Sequence, residues 1–313
     1  MKTKWTVIFA LSLSLLFFAG CTKPGTKYST PDPNAKQHNE DVNNVKSESD
    51  NSNTDVNSAL TGTSGFGKKD ATNAISICGA TIDSSHQHDV IPYLVITFDG
   101  TSNCSSRIRS GTIKVELISG AKWVDVGAEL RVTYTGYKVI FTDLNNHYVT
   151  FNGIKYLTDV SGVDELTYLF TGSVTAKLKE RTYNMTVTFE NGQTSSWNSA
   201  RLTTWNVTGY STIVATVNGD TTIAGKTIDS WGLTRFNTSF QTEMIQPWVS
   251  GTACGWWGPT SGKYTSTTDN FSITATLGVN SSGNQVSSGC AYGLKLDWTL
   301  SNNSSGEALI PYY

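Results

Sequence analysis

Two closely spaced histidines are the first residues with the chemistry of a metal site. The segment DSSHQHD contains His86 and His88, flanked by Asp83 and Asp89. Residues i and i+2 of an extended chain point to the same side, and imidazole and carboxylate groups bind divalent metal ions. Such a site would need a third ligand from elsewhere. We therefore expect an exposed polar loop with no metal or cofactor, and a metal ion is the competing interpretation.

Hydrolytic chemistry would require a nucleophile with a base, or two carboxylates on either side of a glycosidic bond. No G-x-S-x-G segment occurs. The acidic residues that could form a carboxylate pair are Glu165, Glu180, Glu190, Asp220 and Glu243. Nothing in their spacing marks a pair, so we predict no catalytic residues. A secreted, glycan-directed hydrolase is the alternative.

The N-terminal residues have the pattern of an export signal. Lys2 and Lys4 precede an apolar run over 7–18, which is shorter than the roughly 20 residues that span a bilayer. The run ends in FAGC, which resembles the lipobox of bacterial lipoprotein signal peptides, with Phe18 where Leu is commoner. The resemblance implies cleavage before Cys21 and acylation of Cys21 with diacylglycerol and a fatty acid such as palmitate. An ordinary cleaved signal is the alternative.

The chain has five cysteines, and assigning Cys21 to lipid leaves an even set. An exported protein reaches an oxidising compartment, where disulfides form. Three connectivities are possible. We favour Cys78 with Cys104 and Cys254 with Cys290, because each pair lies within one local group of predicted strands. Zinc binding is less favoured, since no C-x-x-C pair is present.

Residues 21–74 are predicted to be a disordered linker that follows the signal peptide, 1–20. The stretch is rich in Asn, Ser, Asp, Lys and Thr and has almost nothing apolar to bury. Treated as a flexible coil, it would hold the folded part roughly 35–40 Å from the lipid on average.

Period-two alternation of apolar residues begins at about residue 75 and predicts half-buried antiparallel strands. The clearest runs lie in 113–117, 183–189, 271–277 and 290–300. Asn-Gly pairs at 152–153, 191–192 and 218–219 predict hairpin turns. We predict an all-β fold, an antiparallel meander that forms a sandwich or an extended sheet. A weak internal echo suggests two β-rich halves, 75–209 and 210–313.

Three segments carry a family resemblance: VITFDGTSNCSSRIRSGTIKVEL (95–117), MTVTFENGQTSSWNSARLTTWNVTG (185–209), and VSGTAC with SSGCAYGLKLDWT (249–254 and 287–299). Together they resemble an uncharacterised lipoprotein family of Bacteroidetes-type bacteria, to which no activity is assigned. The resemblance covers about 90–300. It implies a cell-envelope protein of a Gram-negative bacterium and transfers no catalytic role.

Four residues are candidate ligand contacts. Arg201 and Trp205 are four apart on a predicted strand and therefore face the same side, where they could stack on each other or contact a ligand. Trp256 and Trp257 are adjacent in a Gly- and Pro-rich turn. One of these indoles could face solvent and stack on a sugar or anchor a protein partner, or both could close the end of the sheet.

The sequence thus predicts a lipoprotein anchored by Cys21 in the outer membrane, with a non-enzymatic binding or structural role. The expected partners are the membrane, through the lipid, and a glycan or protein ligand. A net charge of −2 gives no basic footprint for nucleic acid.

Overall fold

The computed structural model describes residues 32–61, 63–66, 76–142, 147–162, 173–208, 212–255 and 258–312. Its one long helix is α1, Pro33–Thr61, and short 3₁₀ turns lie at Ser64–Phe66 and Thr252–Cys254. The strands are β1 Ala80–Asp83, β2 Tyr93–Asn103, β3 Arg107–Ser119, β4 Glu129–Phe141, β5 His147–Asp159, β6 Val174–Phe189, β7 Thr194–Thr208, β8 Thr212–Gly219, β9 Thr221–Ile223, β10 Lys226–Leu233, β11 Ser239–Gly251, β12 Ser261–Thr268, β13 Phe271–Val279, β14 Gly293–Leu300 and β15 Ser305–Pro311.

All fifteen strands belong to one sheet, in which every described pairing is antiparallel. Neighbours follow chain order from β1 to β7 and from β10 to β15. Between β7 and β11, strands β8 and β10 lie end to end and share one strand position. The predicted all-β meander is confirmed, and it takes the extended form. Pairing of β7 with β8 and β10 continues the sheet past the divide proposed near residue 210, and that divide stays a prediction.

Only one of the three predicted Asn-Gly turns joins two paired strands. Asn191-Gly192 connects β6 to β7, and Gly192 takes a φ of 78°. Gly153 lies instead within β5, at an irregularity in the pairing with β6 where its backbone passes close to Met185. Gly219 ends β8, and the chain then continues into β9, which pairs with β10. The dipeptide supplies backbone freedom, and a bulge uses that freedom as readily as a turn does.

The linker prediction is wrong for 33–61, because these residues form α1 and half of them are buried. Asp32 caps the helix, with its Oδ1 accepting from the backbone N–H groups of Asn34 and Ala35 at 3.0 and 3.1 Å. The sequence has few apolar residues to bury, but its polar side chains find partners on the sheet. An isolated helix of this composition would be marginal, so tertiary contacts must hold it.

Helix α1 lies across the strands, with contacts that run from β12 to β3. Asn39 accepts a hydrogen bond from Tyr264 of β12, and Asp55 pairs with Arg109 of β3. Seven strand spacings separate β3 from β12, roughly 34 Å along a flat sheet, whereas the helix rises only about 24 Å between these two residues. The long side chains of Tyr264 and Arg109 therefore reach toward the helix from strands that lie farther apart than their partners on it. We call this inward face, from β3 to β12, the groove.

The apolar core is shared between helix and sheet. Val42, Val45, Val56 and Leu60 of α1 belong to one buried cluster with the inward residues of β2 to β7. A second cluster lies on β11 to β15 and includes Ala35 of the helix. Burying apolar surface from both elements stabilises the pair by roughly 25 cal/mol per Å² removed from water.

The described residues contain two disulfides, Cys78 with Cys104 and Cys254 with Cys290. This connectivity confirms the prediction. The first bridges the segment before β1 to the β2–β3 turn, and the second joins the end of β11 to the segment before β14. Among the described residues, no helix combines the length and apolar character that a membrane span requires.

Candidate functional site

The DSSHQHD segment forms an exposed turn rather than a ligand set. His86 Nδ1 lies 2.9 Å from Asp89 Oδ2, and its ring stacks on Tyr93 with centroids 4.3 Å apart. Asp83 accepts a hydrogen bond from the backbone N–H of Ser85. Each acidic group therefore serves a local contact. Within the described ranges, no three His, Cys, Asp or Glu side chains are grouped so as to hold a metal ion.

The four candidate ligand contacts fall in different places. Trp256 and Trp257 lie outside the described residues, as does Cys21. Arg201 and Trp205 both face the groove from β7, as their spacing predicted. They do not stack on each other: Arg201 is buried against α1, whereas Trp205 is half-buried beside Val207.

The groove gathers charges from distant parts of the chain. Its cations come from β3, β5, β7 and the turn after β10, and its carboxylates come from β6 and β10. The residues are Arg107, Arg109, Lys155, Arg201, Arg235, Glu180 and Asp229. Each lies on or beside a strand at a position that points toward α1, so pairing with the helix replaces the water that these groups lose.

The most complete ion pair joins Arg235 to Asp41 near the start of the helix. Arg235 donates through Nε and Nη2 to the two carboxylate oxygens of Asp41, at 2.7 and 2.6 Å. Its Nη1 donates to Glu190 at 2.9 Å, and the guanidinium lies 3.9 Å from the centroid of the Phe189 ring. A bidentate pair of this kind fixes the orientation of both partners.

A second group of charges surrounds the middle of the helix. Arg201 donates to Asp50 at 2.7 Å, and its Nη1 lies 3.7 Å from Glu180. Lys46 reverses the polarity, since its Nζ donates to Asp229 of β10 at 2.5 Å. Here the helix contributes charges of both signs, and each charge meets its opposite on the sheet.

The C-terminal half of the helix pairs with β3 and β4. Glu48 accepts a hydrogen bond from Tyr137 at 2.7 Å, and Arg107 Nε lies 3.4 Å from the other carboxylate oxygen of Glu48. Arg109 donates to Asp55. Asp41, Glu48 and Asp55 are seven residues apart, nearly two helical turns, and therefore share one face of α1.

Burial shifts the pKa of the helix carboxylates upward despite these partners. Desolvation raises the pKa of Asp41 to about 6 against the opposing effect of Arg235. It also raises the pKa of Glu48, Asp50 and Asp55 above their ordinary values. Glu180 differs: burial acts to raise its pKa, but Lys155 and Arg201 together lower it to about 2. The helix carboxylates thus lose more hydration on burial than their partners return.

One cluster has the residue types of a nucleophilic site. Ser52 Oγ lies 2.7 Å from Tyr134 OH and 3.1 Å from Lys155 Nζ, an arrangement in which a lysine can act as the base for a serine. The adjoining cavity is only about 20 Å³, room for about one water molecule. Ser52 is on α1 and Lys155 is on β5, so opening the groove would separate them. The arrangement therefore supports packing rather than catalysis.

Two arginine N–H groups in the groove lack a hydrogen-bond acceptor. Arg109 Nε and Arg201 Nε are buried without a hydrogen-bond partner. Among the described residues, five cations of the sheet contact α1, against the carboxylates Glu180 and Asp229, and a third carboxylate, Glu190, pairs with Arg235. Residues 33–61 carry five carboxylates and two lysines. The groove is thus cationic, and the helix α1 that lies in it is acidic.

Helix α1 and most of the groove are not predicted by the sequence analysis above, although the sequence contains one signal of them. Lys155, Glu180 and Arg201 occupy the inward positions of their strands, beside Leu157, Leu178 and other apolar residues. A charged side chain at an inward position must meet a partner, and the strands alone do not supply enough of them. That mismatch indicates a polar segment packed on the sheet.

Comparison with known proteins gives no relative: no protein-family model, no curated protein and no solved structure matches this chain.

Proposed function

We propose that this chain is a cell-envelope lipoprotein, anchored through acylated Cys21, with a non-enzymatic binding or structural role. The observation that carries the proposal is the pairing of the cysteines. Four of the five are joined in two disulfides, which suits an oxidising compartment outside the cytoplasm. The remaining one, Cys21, directly follows Ala19 and Gly20 at the end of the apolar run.

The distance from the lipid to the fold bears on this role. Asp32, which caps α1, is eleven residues after Cys21, and eleven residues span at most about 36–40 Å when fully extended. That upper limit equals the average distance expected for a linker that continued to residue 74. The sheet would therefore lie close to the membrane surface, within reach of other envelope components.

Two features favour a binding role over an enzymatic one. The Ser52, Tyr134 and Lys155 cluster is buried, beside a cavity of only about 20 Å³. The groove is a charged surface already shaped around a polypeptide helix. We propose the outer membrane as the location, because Thr22 rather than Asp follows Cys21.

Replacement of Cys21 tests the anchor. Cys21→Ala should move the protein from the membrane fraction to the soluble fraction after a high-salt wash, because two or three acyl chains supply the stable attachment. Thr22→Ala is the matched control and should stay with the membrane. The N-terminal peptide of the wild type should carry the acyl mass. Retention of Cys21→Ala in the washed membranes, or an unmodified wild-type peptide, would refute the anchor.

A further inference from the structure

The middle of α1 is held in the groove without apolar contacts of its own. Residues 46–55 read KSESDNSNTD and contain no apolar side chain, although Lys46, Glu48, Ser52 and Asn53 are buried. The apolar residues of the helix lie before and after this stretch. A segment that served only to fill the core would gain more from apolar side chains, since buried ion pairs contribute little net stability.

The fit of the helix is chemically specific but incomplete. Its four buried or half-buried carboxylates each meet an arginine of the sheet, in the pairs Asp41 with Arg235, Glu48 with Arg107, Asp50 with Arg201 and Asp55 with Arg109. Nevertheless Arg109 Nε and Arg201 Nε have no acceptor. The raised pKa values of the carboxylates show that burial costs them hydration.

Low helix propensity adds to this imbalance. Asn, Ser, Thr and Asp make up most of 33–61, and these residues favour turns and caps over helix interiors. Once out of the groove, the segment would lose its helical structure and behave as the linker that its composition indicates. Leaving the groove is therefore accompanied by a gain in chain entropy and in carboxylate hydration.

We propose that α1 is a displaceable plug, and that the groove binds an acidic helical segment of another protein in its place. This rests on the binding role proposed above and names its site. The partner would present carboxylates seven residues apart on one face, as α1 does with Asp41, Glu48 and Asp55. Opening would expose the five groove cations and, next to Lys155 and Arg201, the aromatic rings of Tyr134, Tyr137, Phe151 and Trp197, which suit an amphipathic helix.

A helix-breaking substitution in the full chain tests the proposal. Thr54 is an exposed residue of α1, so Thr54→Pro weakens the seated helix without altering the groove, and Thr54→Ala is the matched control. The probe is a fluorescent peptide with the sequence of residues 32–61, followed by anisotropy. Thr54→Pro should bind it at least tenfold more tightly than Thr54→Ala does. A peptide with Asn, Gln and Asn at positions 41, 48 and 55 should bind Thr54→Pro with at least tenfold lower affinity than the acidic peptide does.

Equal binding by the two variants, or equal binding of the neutral peptide, would overturn the proposal. Polygalacturonate is the second probe: if it binds Thr54→Pro more tightly than the acidic peptide does, the groove is a polysaccharide site and the proposed partner class is wrong. Loss of membrane attachment in Cys21→Ala is measured separately, so failure of the peptide to bind leaves the anchor intact.

Hydrogen exchange of the wild type decides the matter if Thr54→Pro does not fold. Amides of α1 should exchange at least tenfold faster than those of β4 to β7, because the plug opens while the sheet stays formed. Exchange of helix and strand amides together, only on global unfolding, would show that α1 is a fixed part of the core and would overturn the proposal.

Discussion

Strands β13 and β14 are packed by a different kind of interaction from the groove. The inward face of β13 and β14 is mainly apolar, with Phe271, Ile273, Leu277, Leu296 and Trp298 in one buried cluster. The groove pairs charges on β3 to β10 with a stretch of α1, 46–55, that has no apolar residue. Both regions are buried and both show alternation of apolar and polar residues, but in the groove charged residues take some of the inward positions.

The difference shows which parts of a fold are encoded locally. Apolar alternation is complete within one strand, so β13 specifies its own buried face. A buried ion pair needs two segments, and Asp41 and Arg235 are 194 residues apart in the chain. In the sequence alone, each charged residue of such a pair has the pattern of a solvent-exposed residue, because its partner lies in a distant segment.

Removing one buried cation should have the largest effect on stability. Arg235→Ala leaves Asp41 buried without its partner, and we expect a loss of about 3–5 kcal/mol in the free energy of unfolding. The double substitution Asp41→Leu with Arg235→Met should lose much less, because it removes both charges. Urea denaturation at pH 7 measures both effects.

The control for that substitution is an exposed ion pair. Lys226 pairs with Glu243 at 2.8 Å on the surface, and Lys226→Ala should change the unfolding free energy by less than about 1 kcal/mol. If Arg235→Ala costs no more than Lys226→Ala, the groove charges do not hold the helix.

Truncation of an apolar residue in β14 should lower the free energy of unfolding slightly less, and this loss should not depend on salt. Leu296 is buried, and Leu296→Ala should lower the unfolding free energy by about 2–5 kcal/mol through lost burial and the cavity left behind. Added sodium chloride should leave this loss unchanged. A loss that varied with salt as strongly as that of Arg235→Ala would remove the distinction between the two regions.

The two disulfides should contribute similar amounts to the free energy of unfolding. Cys78 and Cys104 are separated by 26 residues, and Cys254 and Cys290 by 36. Replacing either pair with alanine should cost about 2–4 kcal/mol, and the loop lengths predict a difference of only about 0.3 kcal/mol between them. Thermal unfolding of the two double variants provides the comparison, and a loss confined to one pair would contradict it.

Much of the sheet was predictable, and the groove was not. Alternation located β3, β6, β13 and β14, and the even cysteine set gave the disulfides. Bulges escaped prediction, because Tyr183 follows the apolar pattern of β6 but a register shift beside Asn184 leaves it exposed. Helix α1 escaped because its sequence favours disorder on its own and becomes helical only against β3 to β12.

Protonation of Asp41 should make the free energy of unfolding depend on pH. The pKa of Asp41 is raised to about 6 in the folded chain, so the protonated form is favoured by folding. Its contribution is fully present below about pH 4 and is lost as pH rises through 6. The stability of the wild type relative to Asp41→Asn should therefore fall between pH 4 and pH 6.

Urea midpoints at pH 4, 5 and 6 measure this difference. His38 acts in the opposite sense, because burial lowers its pKa to about 4 and stability is lost as pH falls from 6.5 to 4. The histidine is present in both chains and so cancels in the comparison. Parallel pH profiles for the wild type and Asp41→Asn would show that Asp41 is not buried.

A double-mutant cycle between Asp50 and Arg201 tests most directly whether α1 lies in the groove. The variants are Asp50→Asn, Arg201→Gln and the two together, and the free energy of unfolding is measured for each. We predict a coupling of about 0.5–3 kcal/mol, because Arg201 is buried and forms an ion pair with the half-exposed carboxylate of Asp50. Additive effects, with a coupling near zero, would show that the helix does not contact β7 and would contradict the structure of the groove.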